Sequence, residues 1–277
     1  MASRVVSATV GVPLVVGAIW AGAPWLSVLA ALLAFLGALE FYRMAELRGG
    51  RPSQALGIGW TLAFIINGHL GDWPTFWVVL GGVLVTLSWH LRHFYAVLIL
   101  FAKASVRQRS FRDSASDWAY TAFGALYVGW TLSLFLLLRA QFDGLQWVLV
   151  TVLGTFATDT GAFFVGRRFG RRPLAPTISP GKTWEGAIGG FMFGAGSVWA
   201  MTSLSGLPVT VWEGAILGVL VGTFAQVGDL VESKLKRASG VKDAGNLIPG
   251  HGGILDRLDS VVFVIVVVYH FSMWVVK

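Results

Sequence analysis

The sequence predicts an all-α polytopic membrane protein. Hydrophobic residues make up 55% of the 277 residues and charged residues only 13%, whereas soluble domains carry about 25% charged residues. Several apolar runs approach the roughly 20 residues that a helix needs to cross a bilayer core. Lysine and arginine are concentrated between alternate runs. The sequence contains no cysteine, which rules out disulfides and thiolate metal sites within it.

About nine transmembrane helices are predicted, arranged as N-terminal helices in region 1–140 and a C-terminal transmembrane region in 141–277. We expect the first apolar run to be a retained helix rather than a cleaved signal peptide, because no soluble domain follows it. The short apolar stretch 91–104 is predicted to be an interfacial helix. The predicted spans are 5–22, 24–45, 54–70, 73–89, 117–138, 145–166, 184–203, 209–231 and 258–276.

Glycines recur four residues apart within two of the predicted spans. The pairs are Gly186 with Gly190 and Gly218 with Gly222. Small residues at this spacing let transmembrane helices approach closely. We therefore predict tight helix packing at these glycines, and not a phosphate-binding loop.

The distribution of positive charge predicts the orientation. Of the 21 lysines and arginines, only Arg139 and Lys277 fall outside the N-terminus and every second loop. Cytosolic loops carry the excess of basic residues, so we expect a cytosolic N-terminus and, with nine spans, an external C-terminus. The net charge of +7 is then explained by loop anchors, and no nucleic-acid partner is expected.

Four acidic residues flank a long polar stretch between the last two predicted spans. Asp229 and Glu232 lie at the cytosolic end of one span, three residues apart and so on one helix face. Asp256 and Asp259 stand at the start of the next. Ionisable groups at membrane depth are costly and usually mark function. We therefore predict that these carboxylates bind a divalent cation. A site made of oxygen ligands, next to a phosphate group, favours Mg²⁺ or Mn²⁺.

Structural alternatives remain open for these groups. The two later aspartates would cap a helix, and the two earlier acids would pair with Lys236 and Arg237. Asp159, about 12 Å below the cytosolic end of its span, is either a metal ligand or the partner of a nearby arginine. His251 either meets a phosphate or takes part in proton transfer, or hydrogen-bonds its own glycine-rich loop.

A second polar loop follows Asp159 and carries four arginines. The segment 179–185 predicts a helix start, with Ser179 as cap and Glu185 in the first turn. A helix N-terminus beside Lys182 and a hydroxyl group suits an anion. It is not a Walker loop, because Pro176 occupies the place of a required glycine. The arginines and Lys182 together are suited to phosphates of a nucleotide or an anionic lipid.

The polar stretch resembles a known signature. The phosphatidate cytidylyltransferases, also called CDP-diacylglycerol synthases, share its pattern position by position. The block Asp159-Thr-Gly-Ala and the block Ser179-Pro-Gly-Lys-Thr-Trp-Glu-Gly are also similar to that family. This resemblance covers about 155–262, whereas the first 140 residues match only in apolar character. The signature reads Ser233-x-Leu-Lys-Arg-x₄-Lys-Asp-x-Gly-x₂-Ile-Pro-x-His-Gly-Gly-Ile-x-Asp-Arg-Leu-Asp259.

The resemblance implies transfer of CMP from CTP to phosphatidate, giving CDP-diacylglycerol and pyrophosphate, at the cytosolic face of the cell membrane. It implies Mg²⁺ or Mn²⁺, with a second cation left open, and a homodimer. The implied catalytic residues are Asp159, Asp229, Lys242 and Asp256, and the implied metal ligands are Asp229, Asp256 and Asp259. The implied substrate-binding residues are Ser179, Gly181, Lys182, Thr183, Lys236, Arg237, His251, Gly252, Gly253 and Arg257.

Two rival functions are less well supported. A CTP-dependent enzyme for another lipid, such as a polyprenol or an archaeal-type lipid phosphate, is disfavoured by the full signature. An ion-coupled transporter should carry its acids near the midplane, whereas here they are predicted to cluster at one face beside basic loops.

Overall fold

The computed structural model describes residues 2–71, 74–101, 111–247 and 252–275, and these are almost entirely helical. The long helices run side by side, and a small hairpin lies between two of them. The elements are α1 (Ala2–Ala21), α2 (Trp25–Leu47), α3 (Gln54–Leu70), α4 (Thr75–Phe101), α5 (Phe111–Gly124), a π-helical turn (Ala125–Trp130), α6 (Thr131–Arg139), α7 (Gly144–Phe169), β1 (Pro173–Ala175), β2 (Ser179–Thr183), α8 (Trp184–Leu204), α9 (Val211–Ala238), α10 (Leu255–Leu258) and α11 (Val261–Val275).

Six helical stretches are long and apolar enough to cross a membrane: 25–47, 75–92, 113–139, 144–169, 184–204 and 211–238. Shorter apolar helices cover 9–21 and 261–275. Each of the nine predicted spans overlaps an apolar helix in the described residues. The structure therefore confirms an all-helical polytopic membrane protein, while the number of crossings and their orientation stay predictions.

Two local predictions are wrong. Residues 91–101 continue α4 without a break, so the described part of 91–104 is not a separate interfacial helix. Ser179 does not cap a helix, because 179–183 pairs as an extended strand with Pro173–Ala175. The helix begins after Thr183 instead. The side-chain oxygen of Thr183 accepts a hydrogen bond from the Gly186 N–H (3.1 Å) and so caps the helix.

The predicted glycine packing is confirmed between α7, α8 and α9. A Cβ added at Gly190 would lie 2.7 Å from the Thr158 carbonyl oxygen on α7. Added at Gly218 or Gly222, it would lie 2.5 Å or 2.9 Å from carbonyl oxygens of α8. These three helices therefore pack backbone to backbone, which fixes the positions of the polar residues at their ends.

The N-terminal helices also contribute to the core, and α2 packs against the signature residues at the start of α10. Tyr42 of α2 is fully buried, and its hydroxyl group donates to the Thr121 carbonyl oxygen (2.9 Å). Gly37 lies earlier on the same helix. A Cβ added there would be 3.3 Å from the side chains of both Val128 and Leu255, which is a tight contact. Helix α2 thus contacts the π-helical turn and α10 at one point.

Candidate active site

A cavity of about 370 Å³ lies between α7, α8, α9 and the hairpin. Its charged lining residues come from three separate elements. Asp159 and Arg167 lie on α7, Lys182 on β2 and Asp229 on α9. The remaining lining is largely small or apolar, including Gly181, Thr183 and Leu230. The structure therefore brings together predicted residues of both polar loops in one concave site.

The Lys182 ammonium group forms an ion pair with the Asp229 carboxylate in the lining of this cavity, with Nζ 2.7 Å from Oδ2. Both side chains are about one quarter to one third exposed. The hairpin that carries Lys182 is held in place by Glu185, whose Oε2 accepts from the backbone N–H groups of Arg171 and Arg172. The pair therefore joins the hairpin to the end of α9, with its charges facing the cavity.

Arg167 brings a second positive charge to the cavity. Its guanidinium carbon lies 5.9 Å from the centre of the Phe163 ring, one helical turn earlier on α7. Such cation–π packing limits the freedom of an exposed arginine without using its hydrogen-bond donors. Arg167 can therefore present its N–H groups to an anion in the cavity.

Three aspartates share this region. Asp159 lies within electrostatic range of Asp229 and Asp259, and its Oδ1 accepts a long hydrogen bond from the Ser260 hydroxyl group (3.5 Å). The backbone of Asp259 packs on α9, because an added Cβ at Gly228 would lie 2.6 Å from the Asp259 carbonyl oxygen. Among the described residues, Lys182 is the basic residue that forms an ion pair with one of these three aspartates, Asp229.

The donors of this group are suited to a hard divalent cation, because carboxylate oxygens are its preferred ligands and their mutual repulsion favours added positive charge. Within the described ranges, no three acidic or histidine side chains already converge on one point at ligand distance. A cation would therefore draw the three aspartates together rather than enter a finished cage.

Asp256 has a different environment. It is 8% exposed, and its Oδ1 accepts a hydrogen bond from Lys236 Nζ at 2.6 Å. Its Oδ2 accepts from the N–H groups of Ala244 (2.9 Å) and Gly253 (2.8 Å). Both oxygens are thus already bound by groups of the chain itself. In this structure Asp256 binds the backbone of the signature loop, by which we mean the part of the signature between α9 and α10. Its role as a metal ligand stays a prediction.

Lys236 lies between two buried carboxylates. Its ammonium nitrogen is 3.0 Å from Glu232 Oε2 and 2.6 Å from Asp256 Oδ1. Glu232 is fully buried. The ion-pair alternative considered for Glu232 is therefore confirmed for Lys236. Arg237 does not take part; it donates instead to the carbonyl oxygen of Ile178 in the hairpin turn (3.2 Å).

The remaining predicted catalytic and substrate-binding residues are less closely grouped. Gly252 has φ +86°, and a Cβ there would lie 2.8 Å from Asp256 Oδ2, so this turn needs glycine. Lys242, which lies between α9 and α10, and Arg257 on α10 are both exposed. Gly181 lines the cavity, and nothing lies within 4 Å of a Cβ added there. His251 lies outside the described residues.

Sequence reasoning missed Glu40. This acid is buried in the C-terminal half of α2, far along the chain from every motif. Its carboxylate accepts hydrogen bonds from the N–H groups of Ile254 and Leu255 in the signature segment. The signal in the sequence was a single acidic residue within an apolar run, which is by itself a reason to suspect function.

An all-helical membrane protein with acidic and basic side chains gathered in one cavity is the class that fold and site define. The chain belongs to the cytidylyltransferase family, whose model matches residues 2–275. This agrees with the family resemblance carried by the signature.

Several curated relatives are similar to the chain, and each is named phosphatidate cytidylyltransferase. The Mycobacterium tuberculosis protein is 43% identical over 147 residues, which cover 53% of this chain and 44% of that protein. The Staphylococcus saprophyticus protein is 38% identical over 172 residues, covering 61% and 63%. The Bacillus subtilis protein is 37% identical over 176 residues, covering 63% and 65%. The chain thus spans less than two thirds of the length of these relatives.

Proposed function

We propose that this chain is a phosphatidate cytidylyltransferase, which transfers CMP from CTP to phosphatidate and releases pyrophosphate. The observation that carries the proposal is the Lys182–Asp229 pair, which faces Asp159 across a cavity among membrane helices. Family membership and the names of the relatives support it. A CTP-dependent enzyme for another membrane lipid is the alternative, and the full signature disfavours it.

The reaction requires two anions to meet. A phosphate oxygen of the lipid attacks the α-phosphorus of CTP, the bond from that phosphorus to the bridging oxygen breaks, and pyrophosphate leaves. The nucleophile is already anionic, so no strong base is needed, and the barrier lies in positioning and in charge that grows on the leaving group. Lys182 and Arg167 are placed to bind phosphate oxygens in the cavity and to stabilise that charge.

A divalent cation, Mg²⁺ or Mn²⁺, is part of the proposal. Asp229 and Asp259 are its proposed ligands, with Asp159 beside them. Asp256 would join this set only if Lys236 or a loop amide released one of its oxygens. When bound, the cation would neutralise phosphate charge and polarise the α-phosphate. The stoichiometry of Mg²⁺ binding to the purified protein measures whether one cation or two are bound.

The site is proposed to face the cytosol of a cell membrane. Its cavity lies beside the arginine-rich segment after α7 and the basic end of α9, and basic residues favour the cytosolic side. CTP would then enter from water and the lipid headgroup from the bilayer interface. The proposed assembly is a homodimer, which the molar mass of the detergent-solubilised protein checks.

The reaction is tested with purified protein, radiolabelled CTP and dioleoyl phosphatidate in detergent, with Mg²⁺ or with EDTA. We expect labelled CDP-diacylglycerol only with the cation. Asp229→Asn should lower the rate by at least about 100-fold, because it removes a charge from the centre of the site. Asp143→Asn is the matched control, since Asp143 lies before the opposite end of α7 and has a left-handed backbone that asparagine tolerates.

Product formation by well-folded protein with polyprenol or another lipid phosphate, but not with phosphatidate, would establish the alternative. Absence of CMP transfer to any lipid would overturn the proposal. Equal loss of activity in the Asp143 and Asp229 variants would remove the evidence that the cavity is the active site.

A further inference from the structure

Glu40 occupies an unusual position for a carboxylate. It lies in the C-terminal half of α2, which is apolar enough to cross a membrane, and only 5% of it is exposed. Among the described residues, the ion pairs do not include Glu40. A buried charge without a basic partner is costly unless hydrogen bonds compensate it. The compensation therefore has to come from its hydrogen-bond donors.

Those donors come from the signature segment, more than 200 residues later in the chain. The N–H of Ile254 donates to Oε1 (3.0 Å) and the N–H of Leu255 donates to Oε2 (2.9 Å). These amides stand at the start of α10, where backbone N–H groups have no partner within the helix. Each carboxylate oxygen thus holds one amide of the segment that leads to Asp256.

Two glycines of the signature fit around the same carboxylate. A Cβ at Gly245 would overlap the Glu40 carboxylate, and a Cβ at Gly253 would lie 2.5 Å from Oε2. Neither glycine is in the left-handed region of the backbone. Close approach to Glu40, and not an unusual backbone angle, therefore accounts for glycine at both positions.

Asp256 binds the same stretch of backbone. It accepts from the N–H of Ala244, which precedes Gly245, and from the N–H of Gly253 itself. Three consecutive backbone N–H groups, those of residues 253 to 255, thus donate to the two carboxylates. A change at Glu40 would shift the backbone that positions Asp256 and, three residues later, Asp259.

We infer that Glu40 is a positioning residue for the active site, through which the N-terminal half of the chain sets the geometry of the signature loop. This inference rests on the proposed function for its kinetic consequence. In the part of the chain that the structure describes, the hydrogen-bond donors to Glu40 are Ile254 and Leu255, which do not line the cavity, so it acts through residues 253–256. An apolar side chain such as leucine would be less costly to bury at this position. The two hydrogen bonds that the carboxylate accepts from backbone N–H groups explain why an acid is present.

The test compares Glu40→Gln with Glu46→Gln. Glu46 lies on the same helix, is exposed and accepts a hydrogen bond from Gln54, so the chemical change is matched. In Glu40→Gln one amide would face an N–H donor in place of an oxygen. We expect kcat to fall at least tenfold and KM for CTP and for phosphatidate to stay within about threefold, because binding groups remain while their alignment is lost.

Hydrogen exchange supplies a readout that does not depend on catalysis. Amides of 253–258 should exchange faster in Glu40→Gln, while α7 and α8 keep the protection seen in the wild type. Glu40→Asp, which keeps the charge but is shorter, should show an intermediate kcat. If Glu40→Gln does not fold, Glu40→Asp carries the test against Glu46→Asp.

The outcomes separate the two proposals. An inactive wild type with altered exchange in the Glu40 variant would sink the proposed function and leave the contact intact. An active wild type with unchanged kcat in the Glu40 variant would overturn the positioning role. A loss of kcat matched by equal loss of protection throughout the protein would also overturn it, because that pattern indicates general destabilisation.

Discussion

Lys182 and Asp229 form an ion pair of 2.7 Å that joins a hairpin to the end of a membrane helix at the edge of the charged cavity. Each side chain keeps about a quarter or more of its surface exposed, so the pair contributes only about 1 kcal/mol or less to stability. The geometry therefore favours a role in binding: Asp229 orients an ammonium group that can turn toward a phosphate.

Replacing Lys182 by methionine should reduce CMP transfer by at least about 100-fold, because a positive group aimed at phosphate oxygens is lost. The apparent Tm should change little. Lys234→Met, an exposed lysine on α9, is the control and should keep wild-type kinetics. A Lys182 variant with normal kcat and normal KM for CTP would show that this cavity does not bind the triphosphate.

Replacing Lys236 by methionine should instead destabilise the protein. The change leaves Glu232, which is fully buried, and Asp256, which is nearly so, without their shared cation. Removal of one partner from such a buried group costs about 3–5 kcal/mol. Denaturant unfolding in detergent measures it, with Lys234→Met as control.

The double variant Lys236→Met, Glu232→Gln should recover part of this loss, because one buried charge is then neutral. If Lys236→Met has the same free energy of unfolding as the wild type but a raised KM for CTP, Lys236 binds substrate as predicted and the structural role is wrong.

Gly245→Ala tests the packing around Glu40 directly. The added Cβ overlaps the Glu40 carboxylate, and overpacking of this kind costs about 1–3 kcal/mol. Gly59→Ala on α3 is the control, since nothing lies within 4 Å of its added Cβ, and alanine within a helix should be neutral or stabilising by about 1 kcal/mol.

A cost of Gly245→Ala that disappears in the Glu40→Ala background would confirm the contact, because the clashing carboxylate is then absent. An equal cost in both backgrounds would show that Gly245 is needed for another reason.

The helices were predictable from the sequence, because long apolar runs separated by charged loops have few alternatives in a membrane. The gathering of Asp159 and Asp229 at one end of the bundle followed from helix length and loop charge. The hairpin did not, because 179–183 carries a plausible helix start and only its pairing with 173–175 makes it a strand. Glu40 was missed since its partners lie 214 and 215 residues away, a distance that no local pattern spans.

The three neighbouring aspartates predict that a divalent cation stabilises the protein even without substrate. Mg²⁺ should raise the apparent Tm with the logarithm of its free concentration above Kd, by an amount equivalent to about 2.7 kcal/mol at 100 times Kd. NaCl at equal ionic strength should not do so, because screening alone does not bridge carboxylates. Asp229→Asn should lose most of the increment, whereas Asp143→Asn should keep it. An equal increment in both variants would place the cation elsewhere and would leave Asp229 with its ion pair to Lys182 as its only supported role.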